Sequence, residues 1–380
     1  MAGFSQRYLI VCGGTGGHLS PGIAIAERLI ARGHECRLVV SRKEIDSRLR
    51  EKYTHLHFEA APGAPLGFSP AVLARFLIQS VLAFRFAGEL MRSFRPNAIV
   101  VFGGFMSPPY ILLARKAGIF VAIHESNRLP GRAVRMLARQ ADRVYLPVGV
   151  RLRQVPVSRI RCAGYPVRRE IKHIKKADAR RKMELKGHGR TLVIIGGSQG
   201  ARSLNQWVGQ HFKELAREGI NVFAVTGPGK GAASVVELRS EQGEAVRATF
   251  IPFSDDMGLL LSVADLVISR AGAGAIAEIT ECLAPAILIP YPHAADRHQE
   301  ANARFLEKQG GAIVVMESEM DRLIGEVRDL IFNDWMLNQL RSNLRALTRG
   351  NVAEEMVRDL ERSVGLHGER LRKQLKKAGI

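Results

Sequence analysis

Arg7-Tyr8-Leu9-Ile10-Val11-Cys12 runs directly into Gly13-Gly14-Thr15-Gly16-Gly17-His18, and an apolar-periodic stretch from 21 to 32 follows. The apolar run reads as a short buried strand and the periodic stretch as a helix. The glycines between them form a turn in which backbone can approach a ligand closely, with the first amides of the helix pointing at negative charge. The same three-part design recurs. Thr191-Leu192-Val193-Ile194-Ile195 leads into Gly196-Gly197-Ser198-Gln199-Gly200-Ala201-Arg202 and a helix through about 217. Neither loop has the dinucleotide spacing G-x-G-x-x-G or the Lys-Ser/Thr ending of a P-loop. One such loop alone is as readily a tight turn with no ligand. Two of them opening halves of similar size predict a pair of phosphate-binding α/β units.

The rest of each half continues the alternation. Strands are expected at 37–40, 98–102, 119–123 and 143–146, then at 221–225, 248–251, 266–269 and 286–289. Alternating β and α elements call for parallel sheets covered on both faces. At 380 residues the chain also exceeds the size at which one core stops growing, about 250–300 residues. The expected fold is α/β, two doubly wound Rossmann-like domains facing across a cleft. The N-terminal domain is expected over 1–163, the C-terminal domain over 164–365, and a basic tail over 366–380. Ligands in such sheets bind beyond the carboxyl ends of the strands, which sends both glycine loops to one site.

Composition narrows the function classes. The four cysteines are far apart and form no C-x-x-C pair, so neither a disulfide framework nor a zinc site is expected. No run approaches the ~18 uninterrupted apolar residues of a membrane span, and the short apolar stretch at 8–12 does not read as a signal peptide. The net charge of +20 is unevenly placed: residues 1–163 hold 24 Lys/Arg against 9 Asp/Glu, the remainder 32 against 27. Much of the second half's excess lies at Arg370, Arg372, Lys373, Lys376 and Lys377. The first half therefore meets something anionic, a nucleic acid or an acidic membrane surface. With no RNP-type motif, no zinc finger and 6% aromatics, nucleic acid is disfavoured.

The second half carries the features of a nucleotide-sugar site. Ser254 or Asp255 is placed to cap a helix after the strand ending at Ile251. Ser269-Arg270-Ala271-Gly272-Ala273-Gly274-Ala275 is a third strand-to-helix turn, made of small residues that let amides reach a diphosphate. Glu278, about one turn on, is placed for ribose hydroxyls or, alternatively, for the helix dipole. The polar stretch 290–302 contains His293 and His298, but no His-Glu-x-x-His and no Asp-x-Asp pair, so no metal is expected. The charge of a leaving diphosphate would then fall to helix N-termini and arginine, with Arg168 the natural choice.

Eight motifs in order, GGTGGHLSPGIAIAERL, FGGFMSPP, HESNRLPG, GYPVRR, GGSQGARSLN, FSDDM, SRAGAGAIAE and PYPHAADRHQEANA, cover the chain from about 8 to about 350. In these the chain resembles the MurG family, the UDP-N-acetylglucosamine:undecaprenyl-pyrophosphoryl-muramyl-pentapeptide N-acetylglucosaminyltransferases. The resemblance implies a GT-B fold, UDP-N-acetylglucosamine as donor, no cofactor, and lipid I as acceptor. It also implies inversion at the anomeric carbon and a peripheral location on the cytoplasmic face of the bacterial cell membrane. By motif, Thr15, Gly16, Gly17 and Asn127 lie on the N-terminal side of the site. Arg168 and Ser198 contact the donor diphosphate, and the backbone around Ser254 holds uracil. Ala273, Gly274, Ala275, Ile276, Ala277 and Glu278 take diphosphate and ribose, while Gln299, with His298 and Asn302 nearby, addresses the sugar. Three departures from the family pattern stand out: Ser126 in HESN, Tyr165 in GYPVR, and His298 before Gln299. A related transferase acting on another lipid, such as diacylglycerol, is the alternative.

Inversion requires a base near the attacking hydroxyl. His18 is expected to fill that role, with Glu125 the other candidate. Gly13, Gly14, Gly16 and Gly17, with Gly103 and Gly104, are expected to hold the acceptor pyrophosphate through backbone amides. From 71 to 94, helical spacing gathers Arg75, Gln79, Arg85, Glu89 and Arg92 opposite a broad apolar face. The ordinary destination of such a face is the domain core; docking on anionic lipid is the other.

Overall fold

A computed structural model describes residues 5–13, 16–41, 51–64, 69–185, 189–197, 200–348, 350 and 352–377. The chain divides into two compact units, one of Met1–Ser126, Pro130–Arg168 and Asn351–Ile380, the other of Asn127–Leu129 and Arg169–Gly350.

Unit 1 is built on strands β1 (Arg7–Val11), β2 (Glu35–Ser41), β3 (His57–Ala61), β4 (Ala98–Val101), β5 (Phe120–His124), β6 (Arg143–Leu146) and β7 (Ile160–Cys162). Their order is β3-β2-β1-β4-β5-β6-β7, and every pairing is parallel. Side chains alternate across the sheet. Tyr8, Ile10, Leu38, Val40, Ala98 and Val100 enter one core; Leu9, Val11, Val39, Ile99 and Val101 enter the other. Its helices are α1 (Gly16–Ala31), α2 (Pro70–Phe94), α3 (Ser107–Lys116) and α4 (Arg132–Leu137).

Unit 2 repeats the plan with β8 (Thr191–Ile195), β9 (Asn221–Val225), β10 (Ser234–Arg239), β11 (Ala245–Ile251), β12 (Leu266–Ser269), β13 (Ala286–Leu288) and β14 (Ile313–Val314). The order is β10-β11-β9-β8-β12-β13-β14. Only the β10–β11 pairing, a hairpin, is antiparallel. Helices α5 (Lys176–Lys182), α6 (Arg202–Arg217), α7 (Met257–Val263), α8 (Ala273–Glu281), α9 (His298–Lys308), α10 (Leu323–Ile331) and α11 (Asp334–Leu347) cover it.

The last helix, α12 (Val352–Lys377), corrects the division expected from sequence. It belongs to unit 1, not to a domain spanning 164–365, and it continues without a break to Lys377, well into the stretch expected as a separate tail. Met356, Val357, Leu360 and Val364 are buried in the core beside α1. Glu354 and Glu361 pair with Arg32, Glu361 also meets His34 at 2.8 Å, and Tyr145 Oη donates to Asp359 at 2.7 Å. Connectivity in sequence was the wrong guide: an apolar stripe is buried where a partner face exists.

Helix α2 divides between the two destinations open to its apolar face. Ser69 caps it, accepting from the Val72 amide at 3.4 Å with Pro70 following, and Arg95, left-handed at φ 48°, closes it. Only its second half reaches the core, through Ala83, Ala87, Leu90, Met91 and Phe94. Leu77, Ile78 and Val81 remain 56–61% exposed, and Val72, Leu73, Leu82 and Phe84 are exposed too. Its 25 residues extend roughly 37 Å, well beyond strands of three to seven residues at about 3.3 Å each. The sheet cannot cover it.

Candidate active site

In unit 1 the carboxyl end of β1 turns through Gly13 into α1. Gly14 and Thr15 lie outside the described residues, and Gly16 begins the helix. Gly13 has a packing reason of its own, since a Cβ there would sit 2.4 Å from the Ser41 amide nitrogen. His18 is the third residue of α1 and is half-buried. It lies against the turn after β4, where Gly103 and Gly104 have φ of 84° and 80°. A Cβ on Gly104 would come 3.4 Å from His18 Cε1, so this glycine pair lets the imidazole lie flush on backbone.

Glu125, 6% exposed, follows β5. Its Oε2 accepts the Gly131 amide at 2.7 Å, closing the loop that leads into α4. That bond uses one of the two carboxylate oxygens to hold the loop. His124, one residue earlier, is wholly buried. Its Nε2 donates to the Gly164 carbonyl at 3.0 Å, and its ring lies 5.3 Å from that of Phe102. Burial, opposed by the Gly164 bond and assisted by His18, lowers its pKa to about 4. It is a neutral Nε2–H tautomer at physiological pH.

Arg168, expected on the donor diphosphate, falls in unit 1. It is 8% exposed, and its Nη1 donates to Tyr53 Oη at 3.2 Å.

Unit 2 holds the second glycine turn, where Gly200 N donates to Gly197 O at 2.9 Å. Ser198 lies outside the described residues. A Cβ on Gly200 would meet the Thr226 carbonyl at 2.1 Å, so close strand packing demands glycine there. Helix α6 follows with no side-chain cap. A cavity of about 380 Å³ opens beside its first turns, lined by Arg202, Asn205, Gln206 and Lys230. Sequence reading gave these residues no role; the available signals were Arg202 closing one glycine turn and Lys230 inside a second glycine-rich stretch, 227–231.

Helix α7 begins one residue later than a cap at Ser254 or Asp255 implies: the residue before it is Asp256, whose own side chain makes no capping bond. Ser254 sits half-buried in the segment after β11. Helix α8 starts at Ala273 after Gly272, again without a side-chain cap, leaving its first amides to a ligand or water. Ala273, Gly274, Ala275, Ile276 and Ala277 are all half-buried along its opening turns. Glu278 is the sixth residue, beyond the first turn, so the helix-dipole explanation for it loses force.

Arg270 was read only as part of a turn. It is 6% exposed and donates to the Ile289 carbonyl (3.2 Å), Glu317 (2.8 Å) and Ser203 Oγ (2.8 Å), with its guanidinium 5.4 Å from the centre of the Tyr291 ring. One planar fork thereby ties the ends of β12 and β13 to the start of α6. Glu317 is driven upward by burial but more strongly downward by hydrogen bonds from Arg270 and Ser203, and ends below its usual range.

The polar loop before α9 contains two consecutive non-glycine residues in left-handed geometry, Asp296 (φ 51°) and Arg297 (φ 53°). Such strain persists where surroundings over-determine it, and it clusters at ligand sites. Gln299 Oε1 accepts the Tyr291 amide at 3.0 Å, leaving its NH₂ for a ligand. His298 Nδ1 meets the Ala295 carbonyl at 2.7 Å, which leaves Nε2 as an acceptor. Asn302 does not share this availability. It is 5% exposed; Oδ1 takes the Arg128 amide (2.9 Å), while Nδ2 donates to Asn127 Oδ1 (3.1 Å) and the Ala271 carbonyl (3.2 Å). Both amide hydrogens are spent on protein, so its expected sugar contact gives way to a role in holding loops; Asn127, expected on the N-terminal side, instead groups with unit 2 and is engaged by the same bond.

Residues 8–146 match the glycosyltransferase family 28 N-terminal domain and residues 191–356 the glycosyltransferase family 28 C-terminal domain. Fold and site together define a glycosyltransferase of that class. A protein of Opitutus terrae named UDP-N-acetylglucosamine–N-acetylmuramyl-(pentapeptide) pyrophosphoryl-undecaprenol N-acetylglucosamine transferase is 50% identical over 363 residues, 96% of each chain. A protein of the same name from Desulforudis audaxviator is 36% identical, over 95% of this chain and 99% of its own. The crystal structure of Acinetobacter baumannii MurG superposes with a TM-score of 0.68 at 25% identity, covering 94% of this chain and 99% of that one. The chain belongs to the MurG family of N-acetylglucosaminyltransferases.

Proposed function

We propose that this chain transfers N-acetylglucosamine from UDP-N-acetylglucosamine to the 4-hydroxyl of the muramyl sugar in undecaprenyl-pyrophosphoryl-muramyl-pentapeptide. The observation that carries the reading is the 50% identity to a transferase of that name across 96% of the chain. The uncapped amino ends of α6 and α8, reached through small residues, support it.

Unit 2 takes the donor. Amides at 273–275 and the second glycine turn face the diphosphate, Glu278 accepts from ribose hydroxyls, the backbone at Ser254 receives uracil, and the Gln299 amide addresses the sugar. Unit 1 takes the acceptor, whose pyrophosphate is held by the amides of the first glycine turn and of 103–104. The muramyl O4 attacks C1 of the donor sugar as the C1–O bond to UDP breaks, and the hydroxyl proton passes to His18. Helix termini and cationic side chains neutralise the leaving UDP, and no metal is required for the step.

The exposed apolar face of α2 supports a peripheral place on the cytoplasmic side of the membrane. Leu77, Ile78 and Val81 present aliphatic surface beside the exposed cations Arg75 and Arg85, a composition suited to an anionic bilayer. Release of UDP from UDP-N-acetylglucosamine by the purified chain with a lipid I analogue tests the reading. Turnover confined to that acceptor is expected. Transfer to diacylglycerol instead, or no UDP release with either, would overturn it.

A further inference from the structure

The opening of α1 contains a defect written into its sequence. A helical carbonyl accepts from the amide four residues on, and the residue four on from Gly17 is Pro21, which has no N–H. The proline ring also crowds that carbonyl and turns it out of the helix. The Gly17 oxygen is thus left to water or to another donor. In the structure the donor is Tyr165, whose Oη reaches it at 3.1 Å from a ring that is only 9% exposed. Tyr165 is itself firmly placed. The preceding Gly164 carbonyl accepts from buried His124, and Gly164 packs so closely that a Cβ there would lie 3.2 Å from Val352 Cγ2.

We infer that Tyr165 is a positioning residue for the reaction: its hydroxyl replaces the amide missing at Pro21, fixes the first turn of α1, and so holds His18 on the 103–104 turn. The inference rests on the reading of His18 as the base. A phenol reaching from 148 residues away substitutes for a bond that a helix ordinarily makes within itself.

Tyr165→Phe in the full chain removes the donor and keeps the ring. With lipid I analogue, kcat is expected to fall about three- to tenfold, the loss of one oriented hydrogen bond, with KM for UDP-N-acetylglucosamine unchanged. Amide exchange at 19, 20, 22 and 23 is expected to speed up by a similar factor. The decisive variant adds Pro21→Ala, which returns an N–H to position 21. Tyr165→Phe/Pro21→Ala is expected to recover both turnover and protection, whereas Pro21→Ala alone stays near wild type. An unaltered Tyr165→Phe, or a loss that Pro21→Ala does not repair, would overturn the inference. His18→Ala separates the two readings. If it is silent while the Tyr165→Phe exchange defect is still repaired, the base assignment falls and the helix repair stands.

Discussion

Lowering the pH from about 7.5 to about 5 should destabilise unit 1 through one side chain, His124. In the unfolded chain this histidine takes up a proton near 6.5; folded, buried and bonded to Gly164, it resists until about 4. Between those values the unfolded state binds more protons, so stability is complete above the unfolded value and falls as pH drops through the window. The difference amounts to about 2 kcal/mol at pH 5 and about 3 kcal/mol at pH 4. His124→Gln is the matched control, because its Nε2 can still donate to the Gly164 carbonyl but has nothing to titrate. Both tryptophans, Trp207 and Trp335, lie in unit 2 and are blind to this event. Amide exchange at β5, corrected for intrinsic rates, reads it instead. The wild type should lose about 2 kcal/mol more opening free energy than His124→Gln between the two pH values. Parallel losses, within about 0.5 kcal/mol, would show that His124 is not held neutral and would refute the argument.

Other outcomes are as specific. His18→Ala should lower kcat by about 10²–10⁴ with UDP affinity intact, measured by single turnover and calorimetry; a loss below tenfold would end its role as base. Asn302→Asp turns a carboxylate toward the Ala271 and Asn127 oxygens, and should cost unit 2 about 1–3 kcal/mol in urea unfolding followed by tryptophan fluorescence. An unchanged midpoint would mean that the amide is not holding those loops. Arg270→Met strands Glu317 in a part-buried site and should cost about 3 kcal/mol at pH 7 by the same probe. Because Glu317 sits below its usual range, the deficit should shrink as pH falls through its folded value, and a pH-independent deficit would contradict the pairing. Leu77→Asp with Val81→Asp should abolish co-sedimentation with anionic vesicles while leaving the melting temperature unchanged, since both side chains are already exposed; undiminished binding would remove α2 from the membrane contact.

The ten interior strands of the two sheets were legible as apolar runs, and the four that were not, β3, β7, β10 and β14, are the four edges. An interior parallel strand is covered on both faces and must be apolar throughout. An edge strand such as β10, with alternate residues exposed, carries no such demand. The site divides in a similar way. Glycines 103, 104, 197 and 200, singled out by their motifs, all adopt left-handed backbone, which leaves few other choices of residue. Arg270, Asn302 and Arg168 were not, because a long polar side chain can turn toward a ligand or toward protein, and only its neighbours decide which.

The sequence alone determined two α/β units opened by glycine turns and the family to which they belong, since period, turn chemistry and motif order are local properties of the chain. Tertiary structure alone decided that α12 returns to the first unit, that half of α2 stays in solvent, that Asn302 is consumed by protein, and that Tyr165 supplies the bond that Pro21 cannot. Each of these depends on which surfaces and donors lie opposite one another after folding. Between residues 148 or 175 positions apart, such as Gly17 and Tyr165 or Asn127 and Asn302, no local pattern records that encounter.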